Sequence, residues 1–571
     1  MSQSVLGFAT CSLLLAAYLV SLTARPLPLP VYWIPFLSAI TIVAWQSTQV
    51  LHRRNWIPVI LGEVVALGLL GHLLFVIPVQ AGVFGRDVFS DLAATRNIEA
   101  FGWPIPSLAP IAPLTRSVSD WPLLEFLGIM ESQITGTPIF SITDPNNVLR
   151  WFPSVLSLVV PLIWYSIAQR IYHRPDISIL ASLASTLVFY NTMFHSWFVQ
   201  ETLGYVLLFS FVLCFIVPHV AKRSNLRWHG LSLVFLIALG FAHHLTFVFA
   251  LLFLVVVLLI PKIVAVWTLV RQPAGSPSRV NSPSGSGLML LLSTVVFVAY
   301  LSYIGEPILR TLVNSLADLL QPAVVISVRS YGPAISSDRV LLVIRLVFAV
   351  FFTYALLLRA AHRNVTLFWD LFGLLWGAST AGLMVATQSL VRGATPGVLR
   401  VEAFAWPLLI IPTSHAVMEA KGVRVLALVL TLFVVVNIVM IPPYVYDPAA
   451  QPQYGIGEVS LRYNTTDYAA AMWFTGNGTV LGDVTVFELF DKWMQHNVVT
   501  DLSIYSGNLS TIDQYQWMVV RSEDTHVVVS STGTGQVTSV SSQTQAAFDA
   551  SPALSSVYDN GNVRIYAIFA P

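Results

Sequence analysis

Apolar runs of 18 or more residues recur between residues 1 and 445. Each is long enough to cross a hydrocarbon core about 30 Å thick. In lipid the backbone must satisfy its own hydrogen bonds, so runs this continuous cross as helices. The chain therefore reads as a polytopic α-helical membrane protein. Of its 571 residues only 10% are charged, where soluble domains carry about 25%. A net charge of +1 leaves no electrostatic footprint for nucleic acid as a partner. Cys11 and Cys214 both fall in apolar runs, so neither a disulfide framework nor a metal cluster follows from them. Residues 1–23 lack a basic start and a small-residue cleavage pattern, and read as a retained first span.

About thirteen spans are expected, at 4–23, 31–50, 57–79, 147–169, 176–194, 200–218, 229–242, 245–265, 287–305, 340–358, 366–388, 399–417 and 424–442. Basic residues gather in alternate short loops: "HRR" (52–54), "QRIYHR" (169–174), "AKRSNLR" (221–227), "RAAHR" (359–363) and "AKGVR" (420–424). The loop at 262–286, with Lys262, Arg271 and Arg279, falls on the same parity. Positive loops stay inside. This places the N-terminus in the cytoplasm and the 80–146 loop, the 195–199 loop, the 306–339 segment and the C-terminal region outside a plasma membrane. Three sequons, at 464–466, 477–479 and 508–510, fall on that outer side, although a fourth at 364–366 falls on the inner one.

Residues 1–445 thus form a transmembrane domain, and 446–571 a small extracytoplasmic α/β domain in which polar residues return. "DYAAAMWFTGNG" reads as a helix ended by Gly, and "TVLGD", "QWMVVRSE" and "THVVVSS" as strands. "TVFELFDKWMQHN" has helical periodicity, and "SVYDNGNVRIYAIF" is a hairpin about a "DNG" turn. "SSTGTGQVTSVSSQTQ" reads as a mobile loop.

The first outer loop begins "GRDVFSD". A helix through "DVFSDLAATRNIEAFG" carries Asp87, Asp91 and Thr95 on one face, at i, i+4 and i+8. "DWPLLEFLGIMESQITG" is apolar on one side and suits an interfacial helix. Two carboxylates at a membrane mouth fit general-base work on a sugar hydroxyl, or a divalent metal such as Mg or Mn held by Asp87 and Asp91. They also fit plain capping of a helix N-terminus.

The order of features resembles the GT-C superfamily of membrane glycosyltransferases, which take sugars from polyprenyl phosphate carriers. An apolar span is followed by "GRDVFSDLAATRNIEAFGWP", then "SDWPLLEFLGIMESQITG", then a span beginning "LRWFPSVLSLVVPLIWY". The pattern is most similar to uncharacterised archaeal proteins of that type. "WFVQETLGYVLLF" resembles their outer start of a span, "FAHHLTFVFALL" their His-containing turn, and "NGNVRIY" their C-terminal hairpin. The resemblance implies a GT-C-like fold and an inverting transfer from a polyprenyl (dolichyl) phosphate donor to a glycan, lipid or protein acceptor. It implies Asp87 as the catalytic base and Asp91 as a second acid. The chain departs from the pattern in having Trp121-Pro122 at a "PP" position. It lacks a "WWDYG" signature, which counts against block transfer of oligosaccharide to protein. It also has three spans before the acidic loop where the family has one.

Other polar residues expected on the outer side suit an anionic donor. They are His243 and His244 at a tight turn, Gln200 and Glu201 at the start of a span, and Arg392 and Arg400 around the span at 399–417. Guanidinium groups bind phosphate bidentately, but an interfacial Arg also snorkels, and a His pair at a turn also serves as a cap. Two histidines are too few for zinc. Glu63 and Asp370 fall near inner ends of spans, away from the acidic loop. A lipid-linked-sugar transporter or flippase would show inverted repeats and broken helices. A polysaccharide polymerase or ligase would use a diphosphate donor and lack the acidic loop motif, and a non-catalytic relative would keep the architecture alone.

Overall fold

The computed structural model describes residues 3–23, 29–52, 54–76, 88–102, 122–136, 148–186, 188, 196, 198–220, 226–271, 286–303, 367–390, 395–419, 465–483, 486–494, 496–499, 501–521, 528–529, 537–538 and 540–569. The helices of the first 419 residues are α1 (Gln3–Thr23), α2 (Leu29–Gln49), α3 (Ile57–Val76), α4 (Val88–Phe101), α5 (Leu123–Thr135), α6 (Val148–Ser157) and α7 (Val159–Tyr172). There follow α8 (Pro175–Thr186), α9 (Gln200–Val220), α10 (Leu226–Ala242), α11 (His244–Arg271), α12 (Ser286–Tyr303), α13 (Leu367–Leu390) and α14 (Thr395–Glu419). Among the described residues four helical stretches are long and apolar enough to cross a membrane: Arg54–Leu73, Leu149–Tyr172, Gln200–Pro218 and His244–Ile263. The spans expected at 340–358 and 424–442 lie outside the described residues.

One expected span differs in form. The run at 147–169 is two helices parted at Leu158. Pro161 has no N–H for the Ser157 carbonyl, and the Leu158 N–H closes back on Val155 O at 3.1 Å instead. Of the run at 176–194, the described helix is Pro175–Thr186, and residues 187 and 189–194 lie outside the described residues. This helix opens with Pro175 at its first position, where the missing N–H costs nothing, and Arg174 pairs with Asp176 at 2.6 Å. The preceding helix stops at His173, whose left-handed φ of 55° ends it.

Close packing of aromatic side chains joins the bundle. Trp164 lies 4.0 Å from Phe209 between ring centroids, and Phe249 stacks on Phe404 at 5.0 Å. Trp376 is fully buried, and its indole N–H finds the Ala405 carbonyl at 2.9 Å, as a buried indole must. Glu63 is buried between α1 and α3, with Gly7 lying against its carboxyl.

The C-terminal region holds α15 (Thr465–Trp473), a π-helix (Phe487–Trp493), α16 (Leu502–Tyr505) and α17 (Ser542–Ala550). Its strands are β1 (Thr479–Leu481), β2 (Asn497–Val499), β3 (Trp517–Arg521), β4 (Val528–Val529), β5 (Val537–Thr538), β6 (Leu554–Asp559) and β7 (Val563–Ile568). Five strands form one sheet in the order β2-β1-β3-β7-β6; β1 is parallel to β2 and β3, and β7 is antiparallel to β3 and β6. The "DNG" hairpin is present. Gly561 supplies the left-handed φ of 85°, and the Asn560 carboxamide accepts from Val563 N at 2.8 Å while donating to Thr466 O at 2.8 Å. The described part of the segment expected as a mobile loop holds β5 and the start of α17. Ser541 caps α17 through its Oγ and the Thr544 N–H at 3.0 Å, and Thr544 and Phe548 are buried one turn apart. Arg521 is buried between Asp467 at 3.1 Å and Asp483 at 3.5 Å, and Asp483 caps the turn before the π-helix through Val486 N at 2.8 Å. The π-helix packs on α4, and Phe89 meets Tyr468 at 6.1 Å. One apolar core therefore runs from the acidic-loop helix into the sheet domain.

Candidate functional site

The helix expected after "GRD" is α4, beginning at Val88. Asp87 lies outside the described residues. Asp91 and Thr95 share a buried face, with Thr95 Oγ1 donating to Asp91 O at 2.7 Å. This helix packs against the π-helix and α5, and Asp91 is 3% exposed.

The second loop helix is α5, and its faces divide as an interfacial helix requires. Met130 (55%) and Ile134 (81%) are exposed, while Leu124, Glu125, Gly128, Ile129 and Ser132 are buried. These positions follow i, i+3, i+4 and i+7, so the buried stripe carries a carboxyl. Glu125 is 0% exposed. It was not among the residues singled out from the sequence. The signal for it is a Glu in register with Gly128 and Ser132, opposite the bulky apolar face. A Cβ on Gly128 would meet Phe198 at 2.9 Å and Leu149 at 3.2 Å. That closeness brings α5 against the start of α9, and there Gln200 Nε2 donates to Glu125 Oε1 at 3.0 Å. Asp91 is near enough to influence the same carboxyl. Burial pushes the Glu125 carboxyl up, against the opposing pull of the Gln200 hydrogen bond and the approach to Asp91.

The neighbouring side chain, Glu201, faces His243, with Oε1 at 3.5 Å from Nε2. His243 is the single residue between α10 and α11. Its Nδ1 meets Thr246 Oγ1 at 2.6 Å, which fixes the ring and leaves Nε2 toward Glu201. Gly204 permits this approach of α9 to α11: a Cβ there would stand 2.5 Å from Thr246 Oγ1. The His244 ring lies 4.8 Å from that of His243.

The structure thus brings Asp91, Glu125 and Gln200 into one buried line and sets Glu201, His243 and His244 beside it. Arg392 lies outside the described residues, and Arg400 lies on α14 with its side chain outside them. A cation that the sequence reading passed over is Arg150, near the start of α6. It is buried, donates from Nη2 to Val76 O at 2.9 Å at the end of α3, and lies 5.2 Å over the Trp151 ring. On the same end of α3, His72 Nδ1 meets Ser196 Oγ at 2.9 Å. Among the described residues no three His, Cys, Asp or Glu side chains gather as a metal site, so a divalent ion finds no complete ligand set there.

No family model matches the sequence, and no curated protein does. Among solved structures, the chain is similar to the oligosaccharyltransferase of Archaeoglobus fulgidus at 12% identity and a TM-score of 0.48, over 83% of this chain and 70% of that one. It is similar to ArnT of Cupriavidus metallidurans, bound to undecaprenyl phosphate, at 10% identity and a TM-score of 0.45, over 88% and 97%. It is also similar to the arabinofuranosyltransferase AftD of mycobacteria at 15% identity and a TM-score of 0.46, over 91% of this chain but 40% of that one. The archaeal enzyme AglB has been seen with an inhibitory peptide and a dolichol-phosphate. These neighbours are of the class that the sequence resembles; at this level of likeness they assign no activity to this chain.

Proposed function

We propose that the chain is a GT-C-type glycosyltransferase that moves a sugar from a polyprenyl (dolichyl) phosphate carrier to an acceptor at the outer membrane face. The observation that supports it best is the buried line Asp91–Glu125–Gln200 at the foot of the acidic loop. Burying two carboxyls together costs free energy that a structural helix has no need to spend. Paired acids held dry beneath a roof suit work on a hydroxyl.

Asp87, at the head of α4, is the proposed base. It takes the proton of the acceptor hydroxyl as that oxygen attacks the anomeric carbon from the face opposite the phosphate. The bond from that carbon to the phosphate oxygen breaks, its electron pair leaves on the polyprenyl phosphate, and the product is inverted. Stabilising that departing charge lowers the demand on the nucleophile. Arg392 and Arg400 are the proposed partners of the phosphate, with His243 and His244 at its edge. Gln200 and Glu201 act from behind, the first on Glu125 and the second on His243.

Asp87→Asn tests the reading. Asn caps a helix as well as Asp does, so the variant folds, while loss of a general base costs on the order of 10²–10⁴ in rate. Folded Asp87→Asn protein that transfers sugar from a polyprenyl phosphate at the wild-type rate contradicts the assignment.

A further inference from the structure

We infer that Thr246 is a positioning residue: it holds the His243 imidazole neutral, with its one N–H on Nε2 toward Glu201. The kinetic readout of this rests on the transferase reading above. His243 closes α10 with its own N–H, bonded to Leu239 O at 3.1 Å, and opens α11 with its carbonyl, which accepts from Phe247 N at 3.1 Å. Thr246 is the third residue of α11, where a capping side chain finds a backbone N–H to accept. There the Thr246 N–H points at His243 Nδ1 at 3.4 Å, and Thr246 Oγ1 lies 2.6 Å from the same atom. A nitrogen that accepts from an N–H carries no hydrogen of its own. Nδ1 is therefore bare, the Thr246 hydroxyl donates to it, and the hydrogen of the neutral ring is on Nε2. Nε2 stands 3.5 Å from Glu201 Oε1, and a carboxylate only accepts.

Two effects oppose each other on this ring. Glu201 favours imidazolium, while the positive N-terminal end of α11 disfavours it. The geometry at Nδ1 decides, because imidazolium would set a hydrogen on Nδ1 against the hydrogen of the Thr246 N–H. The hydroxyl contact at 2.6 Å is far shorter than the backbone contact at 3.4 Å. The side chain of Thr246 therefore carries the lock. Both residues are buried, so water does not replace the bond when it is lost. Helix α9 supplies Glu201 to this ring and, one turn on, Gly204 to the hydroxyl: a Cβ on Gly204 would stand 2.5 Å from Thr246 Oγ1. His243 thus enters the site as an N–H donor of fixed direction rather than as a mobile cation. Small displacements of groups around a reacting centre cost rate.

Thr246→Ala and Thr246→Ser both lose the methyl, and only the first loses the hydroxyl. In steady-state transfer from a polyprenyl-phosphate sugar, Thr246→Ala is expected to lower kcat by ~10-fold or more with donor KM held within ~2-fold. Thr246→Ser keeps the bond and is expected to stay within ~3-fold of wild type. Equal impairment by Ala and Ser, or an unchanged kcat in Thr246→Ala, overturns the inference. The ring itself is read by nitrogen NMR of the full chain in lipid nanodiscs, with heavy nitrogen in its histidine rings. The His243 signals are assigned by their loss in His243→Asn, which keeps a capping side chain. A bare Nδ1 with hydrogen on Nε2 is the expected spectrum. Hydrogen on Nδ1, in a neutral or a charged ring, overturns the inference. If Thr246→Ala does not fold, this spectrum decides by the same two outcomes. A wild-type protein that transfers no sugar contradicts the transferase reading instead, and the spectrum, which needs no turnover, still judges the ring.

Discussion

Gly204→Ala should damage the site without removing any polar group from it. The added Cβ would stand 2.5 Å from Thr246 Oγ1 and 3.2 Å from both Thr246 Cβ and His243 Cβ. Ordinary contact begins at 3.4 Å, so the helices must part by about 0.9 Å (3.4 less 2.5). Neither neighbour can turn aside cheaply, since both are buried and bonded to each other at 2.6 Å. Overpacking of this kind costs ~1–3 kcal/mol. The same separation carries Glu201 away from His243, beyond its present 3.5 Å, and displacements near 1 Å around a reacting centre can cost ~10²-fold in rate. The assay pairs thermal unfolding in detergent with initial rates of sugar transfer. A variant with the wild-type midpoint refutes the packing argument. A variant with a lower midpoint but the wild-type kcat, measured well below it, removes the Glu201–His243 pair from the site.

Arg521→Ala leaves Asp467 and Asp483 buried without their shared partner, which should cost ~3–5 kcal/mol and expose the C-terminal sheet to limited proteolysis; an unaltered cleavage pattern contradicts this. Burial pushes the Glu131 carboxyl up to about 7. The fold therefore favours its neutral form, so its full stability is present below the ordinary carboxyl range and is lost as pH rises through about 7. Glu131→Gln should match wild type in unfolding midpoint at pH 4 and exceed it at pH 8, and a constant difference between the two contradicts the assignment. Topology is testable with Ser224→Cys and Ser539→Cys: an impermeant thiol reagent should reach the second in intact cells and the first only after permeabilisation, and same-side labelling overturns the orientation.

The long helices were legible because lipid and chain length leave one solution for runs such as Gln200–Val220 and His244–Arg271. Their ends were legible where a local signal exists, as at Pro175. The break at Leu158 follows from Pro161 but is masked by an unbroken apolar run, and hydropathy does not register a missing N–H. The hairpin of β6 and β7 was readable from "DNG", whereas the cap at Ser541 was hidden in a stretch whose composition reads as a loop. In the site, Asp91, Gln200, Glu201 and His243 stood out as polar residues beside apolar runs. Glu125 did not, because its meaning depends on partners 34 and 75 positions away in sequence (Asp91 and Gln200). Periodicity places a side chain on a face of its own helix; it does not say which other helix that face meets.

The central claim is tested most directly by purified protein in lipid nanodiscs, given labelled sugars on polyprenyl phosphate and, in parallel, on polyprenyl diphosphate. The account predicts that sugar leaves the monophosphate carrier, that polyprenyl phosphate is released in equal amount, and that the anomeric configuration of the product is inverted. Transfer from the diphosphate donor alone, or a product of retained configuration, would contradict it.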